Sequence, residues 1–165
     1  MKFMLLTATI GLWSTCSYSE SHPLLKDAAY RALFTDNPTV AVLPGDEYLV
    51  PVIEDATAIL GIGEVVEDCG YADICVHTVD NLPYPRAGVA MRHATSSCEI
   101  QVQEGLVASW VIAHEIGHCL GFNHNPVDGH IMSRAVGPHS RMSVDEFEAI
   151  DVIKREIRVR GGVEL

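Results

Sequence analysis

The segment His114-Glu115-Ile116-Gly117-His118-Cys119-Leu120-Gly121-Phe122-Asn123-His124 constrains this chain more than any other. Residues four apart on an α-helix rise from one face about one turn apart, so His114 and His118 present two imidazoles to one point. Glu115 is offset from both and reaches that point without acting as a ligand. Gly121 tolerates left-handed backbone, which ends a helix sharply and swings His124 back as a third nitrogen donor. Three imidazoles leave one position of a tetrahedral zinc open, and this separates a catalytic site from a structural one closed by four protein ligands. In that reading one catalytic Zn2+ acidifies its water to a pKa of about 7 and Glu115 takes the proton. Attack on a polarised carbonyl follows, and Glu115 hands the proton to the leaving amine. Chance agreement at five such positions has a probability on the order of 10⁻⁵ from ordinary residue usage. The bland alternative is a core helix with incidental histidines.

Composition limits what surrounds this segment. The chain has 165 residues, 48% of them hydrophobic, enough for one core and hardly for two. Eleven basic residues against 22 acidic ones leave −11, which argues against nucleic acid or an anionic membrane as partner. Met1-Lys2, the apolar run Phe3 to Trp13 and the small polar stretch Ser14 to Ser19 read as a secretory signal peptide. That run is too short to span a bilayer, which takes about 20 residues, and no later segment qualifies. Removal of Lys2 would take the charge from −11 to −12. The domain expectation is therefore a signal peptide over 1–19, an N-terminal extension over 20–38 and a catalytic domain over 39–165. A secreted or periplasmic location follows, with a lipid anchor through Cys16 as the lesser alternative.

Four cysteines remain after Cys16: Cys69, Cys75, Cys98 and Cys119. Cys69 and Cys75 flank a loop short enough for a local bridge, which leaves Cys98 to pair with Cys119. Sequence permits three pairings, and buried free thiols stand as the competing reading.

The rest of the chain reads as alternating short elements. Pro23 opens a helix through about Phe34. Val40 to Leu43 is a strand, and Tyr48 to Leu60 has helical apolar spacing closed by Gly61. Strands are expected at Glu64–Glu67, Ile74–Val79, Gly88–His93 and Glu99–Gln103. Leu106 to Leu120 is an apolar helix ending at Gly121. Ser143-Val144-Asp145-Glu146 is a capping box for a last helix through about Ile157.

At His114 to His124 the chain resembles the metzincin metallopeptidases, whose extended histidine motif it matches at every fixed position. Met132, eight residues after His124, matches the Met-turn of that clan, and the short spacing is most similar to a minimal matrixin. The resemblance implies an α+β fold: a twisted, mostly parallel sheet with an antiparallel edge strand, a zinc-site helix, a Met-turn and a C-terminal helix. It implies Met132 beneath the metal, Gly88 to His93 as the edge strand, and an extended peptide or protein substrate paired to that edge. Departures are visible. No cysteine lies between Glu20 and Thr39, so a cysteine-switch zymogen is not expected. Asn125 stands where matrixins usually carry Ser, and Ser133-Arg134 where Tyr-Pro is common. Arg134 also occupies the position of the tyrosine used by astacin-like relatives, so no tyrosine ligand is assigned.

Other candidates are weaker. His77, His93, His130 and His139 are weighed as a second metal site against solvated or hydrogen-bonded histidines, and Asp68, Asp73 and Asp80 as a Ca2+ site against solvated loop acids. In both cases the solvated reading is preferred. Cys119 is assigned to a disulfide or to packing, Trp110 to the core, and Phe122 to the core with the specificity pocket as alternative. The expectation is a monomeric zinc endopeptidase. A zinc-containing binding module with little activity, or a hydrolase of non-peptide amides, are the alternatives.

Overall fold

The computed structural model describes residues 22–26, 34, 37–93 and 97–161. Within them Thr39–Val42 (β1), Glu64–Val65 (β2), Ile74–Val79 (β3), Gly88–Arg92 (β4) and Cys98–Gln103 (β5) form one sheet, ordered β2-β1-β3-β5-β4. β2, β1, β3 and β5 run parallel, and β4 joins β5 antiparallel at the edge. β5 buries Cys98, Ile100 and Val102 and turns Glu99, Gln101 and Gln103 outward, the two-residue period of a half-buried strand. β1 lies inside the sheet and buries Val40, Ala41 and Val42 in succession.

Three α-helices complete the fold. α1, Val50–Leu60, follows a 3-10 turn at Glu47–Leu49 and accepts Pro51 in its first turn, where an amide N–H has no helical partner to lose. Gly61, with φ of 62°, ends it. α2, Ser109–Cys119, carries His114, Glu115 and His118 and is buried from Val111 through Gly117. It packs against α1, β4 and β5, so the histidine helix has protein on nearly every side. α3, Val144–Arg160, begins with the expected capping box: Ser143 Oγ accepts from Glu146 N at 3.1 Å, and Ser143 N donates to Glu146 Oε2 at 2.8 Å.

Several boundaries differ from the sequence reading. Leu106 to Ala108 precede α2 instead of opening it, because Gly105 (φ 81°) turns the chain and Ala108 is extended. β2 stops at Val65, since the Asp68 turn takes over: Gly70 N donates to Asp68 Oδ1 and Tyr71 N to Asp68 O. Pro23 does not start a helix. Leu25 instead forms an antiparallel bridge with Phe122, secured by Lys26 N to Gly121 O at 2.8 Å and Asn123 N to Leu24 O at 2.7 Å. The remainder of that expected helix, residues 27–33, lies outside the described residues, as do the expected signal peptide and Cys16. No helix among the described residues is long and apolar enough to cross a membrane.

Both expected disulfides are present. Cys69–Cys75 closes the loop before β3, and Cys98–Cys119 ties the first residue of β5 to the last of α2. The second bridge closes a loop of 21 residues, against six for the first. Loop-closure entropy then assigns about 3 kcal/mol to Cys98–Cys119 and about 2 kcal/mol to Cys69–Cys75. Paired Cys→Ala variants, compared by urea unfolding, are expected to lose stability in that order. The reverse order would contradict it.

Candidate functional site

α2 aims two imidazoles from successive turns, and the exit from the helix supplies the third. Gly121, at φ 97°, reverses the chain, with Phe122 N donating to Gly117 O at 2.9 Å. Nε2 of His118 then lies 3.1 Å from Nε2 of His114 and 3.2 Å from Nε2 of His124. The His118 ring stands nearly perpendicular to the other two, at 89° and 85°. Among the described residues these three form the one group of histidine, cysteine or carboxylate side chains close enough to share a metal.

The tautomers follow from the partners. His114 Nδ1 lies 2.7 Å from Ile131 O and His118 Nδ1 lies 3.0 Å from Phe122 O. A carbonyl only accepts, so each Nδ1 carries the proton and each Nε2 presents its lone pair inward. Imidazole nitrogens converging at about 3 Å, two of them with the lone pair facing inward, suit a cation. The donor set therefore fits zinc. Burial reinforces neutrality: it holds His118 down to about 4, against a smaller upward pull from Phe122 O. Burial also lowers His114 and His124.

Glu115 leaves the same helix toward β4. Burial pushes its carboxyl up to about 7, opposed by the Ala90 N–H that donates to it and by the charge of Arg86. Gly88 makes room for it, because a Cβ there would stand 2.9 Å from Glu115 Cγ and 3.1 Å from Val111 Cγ1. β4 offers its other edge to solvent. Gln103 N donates to Ala87 O and His93 N to Ser97 O, so alternate residues from Ala87 face β5, while the backbone groups of Gly88, Ala90 and Arg92 face away.

The floor of the site is the turn at Met132. Met132 is fully buried, and its thioether fills the place where a side chain on Gly117 would stand. Met132 O accepts from Asn125 N at 2.7 Å, and Met132 N donates to Glu146 Oε1 at 2.8 Å. Asn125 Nδ2 donates to the same oxygen at 3.3 Å. The role of Glu146 beyond its cap was not visible in sequence, and neither were Gly88, Gly117 and Ala90; their partners are far away in the chain. Asn125 and Ser133, the departures from the usual family residues, form a parallel bridge, and Ser133 Oγ donates to Val127 O at 2.7 Å.

The weaker candidates go elsewhere. His77 and His93 approach Glu99 at 3.5 and 3.1 Å on the outer face of the sheet, apart from His130 and His139. Asp73 accepts from Thr39 N and Oγ1, both at 2.8 Å, and Asp68 serves its own turn. Phe122 is fully buried and Trp110 packs against the core.

Residues 40–154 match the family profile described as Matrixin. Over 75 residues the chain is 35% identical to human, and 36% to mouse, "A disintegrin and metalloproteinase with thrombospondin motifs 10". That stretch is 43% of this chain and only 7% of each relative. High choriolytic enzyme 1, a hatching enzyme zinc-protease from the medaka fish Oryzias latipes, is similar in fold, with a TM-score of 0.53, 17% identity, and coverage of 79% of this chain and 98% of its own.

Two outcomes follow from this packing. Gly117→Ala is expected to cost about 1–3 kcal/mol in denaturant unfolding through overpacking on Met132. The same change in a Met132→Ala background should cost clearly less, and an equal cost would mean the contact is not responsible. The second concerns pH in metal-free, chelator-treated protein. His118 titrates near 4 when folded against 6.5 ordinarily, so the unfolded chain binds the extra proton between those values and stability rises with pH across that window. Glu115, raised from 4.5 to about 7, acts with the opposite sign. Melting temperature should therefore climb from pH 4 to 6.5 in Glu115→Gln and change much less in the parent, where the Glu115 shift offsets the His118 one. A flat profile in the variant would contradict neutral, buried histidines.

Proposed function

The chain belongs to the matrixin family, and from that premise we propose that it is a zinc-dependent endopeptidase with Glu115 as general base. The observation that carries this is the convergence of three Nε2 atoms beside a buried carboxylate at the free edge of a sheet. His114, His118 and His124 are the metal ligands, and Gly121 and Met132 support them. Zinc in that cradle would supply a Lewis acid for the scissile carbonyl and lower the pKa of water.

The chain's own groups account for the remainder. The backbone of Gly88 and Arg92 and the carbonyl of Ala90 offer hydrogen bonds to an extended peptide, which adds to β4 as a further strand. Glu115, held by Ala90 N–H and lifted to about 7 by burial, gains and releases a proton at its carboxylate near neutral pH. A carboxylate left at its ordinary value would be a weaker base. The Nδ1 bonds to Ile131 O and Phe122 O keep two rings in one orientation while this happens. The two disulfides are consistent with an exported protein. Secretion as a monomer behind the leader over 1–19 belongs to the same proposal.

Glu115→Gln, assayed on denatured casein, is expected to keep about one zinc per chain and lose about 10²- to 10⁴-fold in turnover. A chelator should abolish parental activity and zinc restore it. Parental activity in the zinc-loaded variant would remove Glu115 from its role, and zinc binding without hydrolysis by the parent would favour a binding module.

A further inference from the structure

Around the three histidines the fold gathers positive charge, although the whole chain carries −11. Arg86 stands two residues before Gly88, the residue packed on Glu115, and its backbone is held by N–H donation to Pro83 O at 3.2 Å. Arg134 stands two residues after Met132, directly beyond the Ser133–Asn125 bridge that borders His124. Lys26 is fixed by its own N–H against Gly121 O, between His118 and His124. Three separate segments thus bring a cation to the same rim.

The charges act on the site. Arg86 lies within electrostatic reach of Glu115, Arg134 within reach of His124, and Lys26 within reach of both His118 and His124. Outside the site, the one described carboxylate that acts on these groups is Glu146. It is fully buried beneath them and occupied by backbone and amide donors. Arg86 and Arg134 are both exposed, and neither side chain makes a hydrogen bond or ion pair with another described residue. Each guanidinium keeps its five-donor fork for a planar carboxylate.

Resting on the endopeptidase reading, we infer that the cleft selects peptides with Asp or Glu within about three residues of the bond to be cut, a distance set by strand rise and arginine reach. Arg86 and Arg134 are the specificity-determining residues, pairing with substrate carboxylates at the two sides of the metal cradle. Acidic proteins are ordinarily repelled by a chain of this charge, so the local rim works against the global field.

The test uses the zinc-loaded full chain and a series of quenched fluorescent peptides that share one central sequence and differ only in flanks of Glu, Gln or Lys. An exposed ion pair contributes about threefold, so two arginines should give about tenfold in kcat/KM for Glu over Gln flanks at low salt. Salt at about 0.5 M should shrink that ratio toward one, and Arg86→Glu with Arg134→Glu should shift the preference to Lys flanks. Binding of the same peptides to zinc-loaded Glu115→Ala, read by fluorescence polarisation, should rank them identically. Equal, Glu115-dependent cleavage of Glu- and Gln-flanked peptides would overturn the charge selectivity and leave the endopeptidase reading standing. Absence of cleavage with the acidic peptides still bound best would do the reverse. Equal binding without cleavage would overturn both.

Discussion

A single carboxylate, that of Glu146, holds together the parts on which the site depends. It is fully buried, and every group around its oxygens is a donor: Met132 N and Asn125 Nδ2 on one, Ser143 N on the other. A buried polar group is costly unless satisfied, and here satisfaction requires three segments to meet at one point. The start of α3, the turn at Met132 and the residue after His124 cannot drift apart without leaving a polar group stranded. The capping box, a local device for starting a helix, is thereby also the anchor of a distant turn.

From that anchor the constraint passes to the histidines. Ile131, next to Met132, supplies the carbonyl that receives the Nδ1 proton of His114, while the Met132 side chain fills the space above Gly117 on the histidine helix. Both contacts act on the turn of α2 that carries the site, and the Cys98–Cys119 bridge fixes its last residue to β5. The same burial then drives acid and base in opposite directions. Loss of solvent disfavours charge, so it lowers the histidines and raises Glu115. One physical effect thus prepares neutral imidazoles and a carboxyl able to exchange a proton near neutrality.

Elements governed by neighbours in the chain were legible in advance. β3 has the expected limits, the Ser143–Glu146 box opens α3, and Gly121 takes the left-handed geometry required to bring back His124. Cys69–Cys75 was readable from a short loop, and Cys98–Cys119 followed once that pair was placed. Readings failed where a distant partner outweighed local preference. Pro23 suggests a helix start, yet Leu24 to Lys26 gain more by pairing with Gly121 to Asn123. Apolar spacing suggested that α2 starts at Leu106, but the Gly105 turn and an extended Ala108 delay it to Ser109.

By itself, the amino-acid sequence determined which three histidines converge as a candidate donor set, because four-residue spacing on a helix and a glycine exit are properties of the backbone alone. It also determined the strand periods and the cap of α3. Tertiary structure decided which nitrogen of His114 and His118 faces inward, how far Glu115 is lifted, why Gly88 and Gly117 must lack side chains, and that Arg86, Arg134 and Lys26 share one rim. These depend on groups dozens of residues apart meeting in a medium without water, and chain spacing carries no record of such meetings until the sheet and the helices have packed.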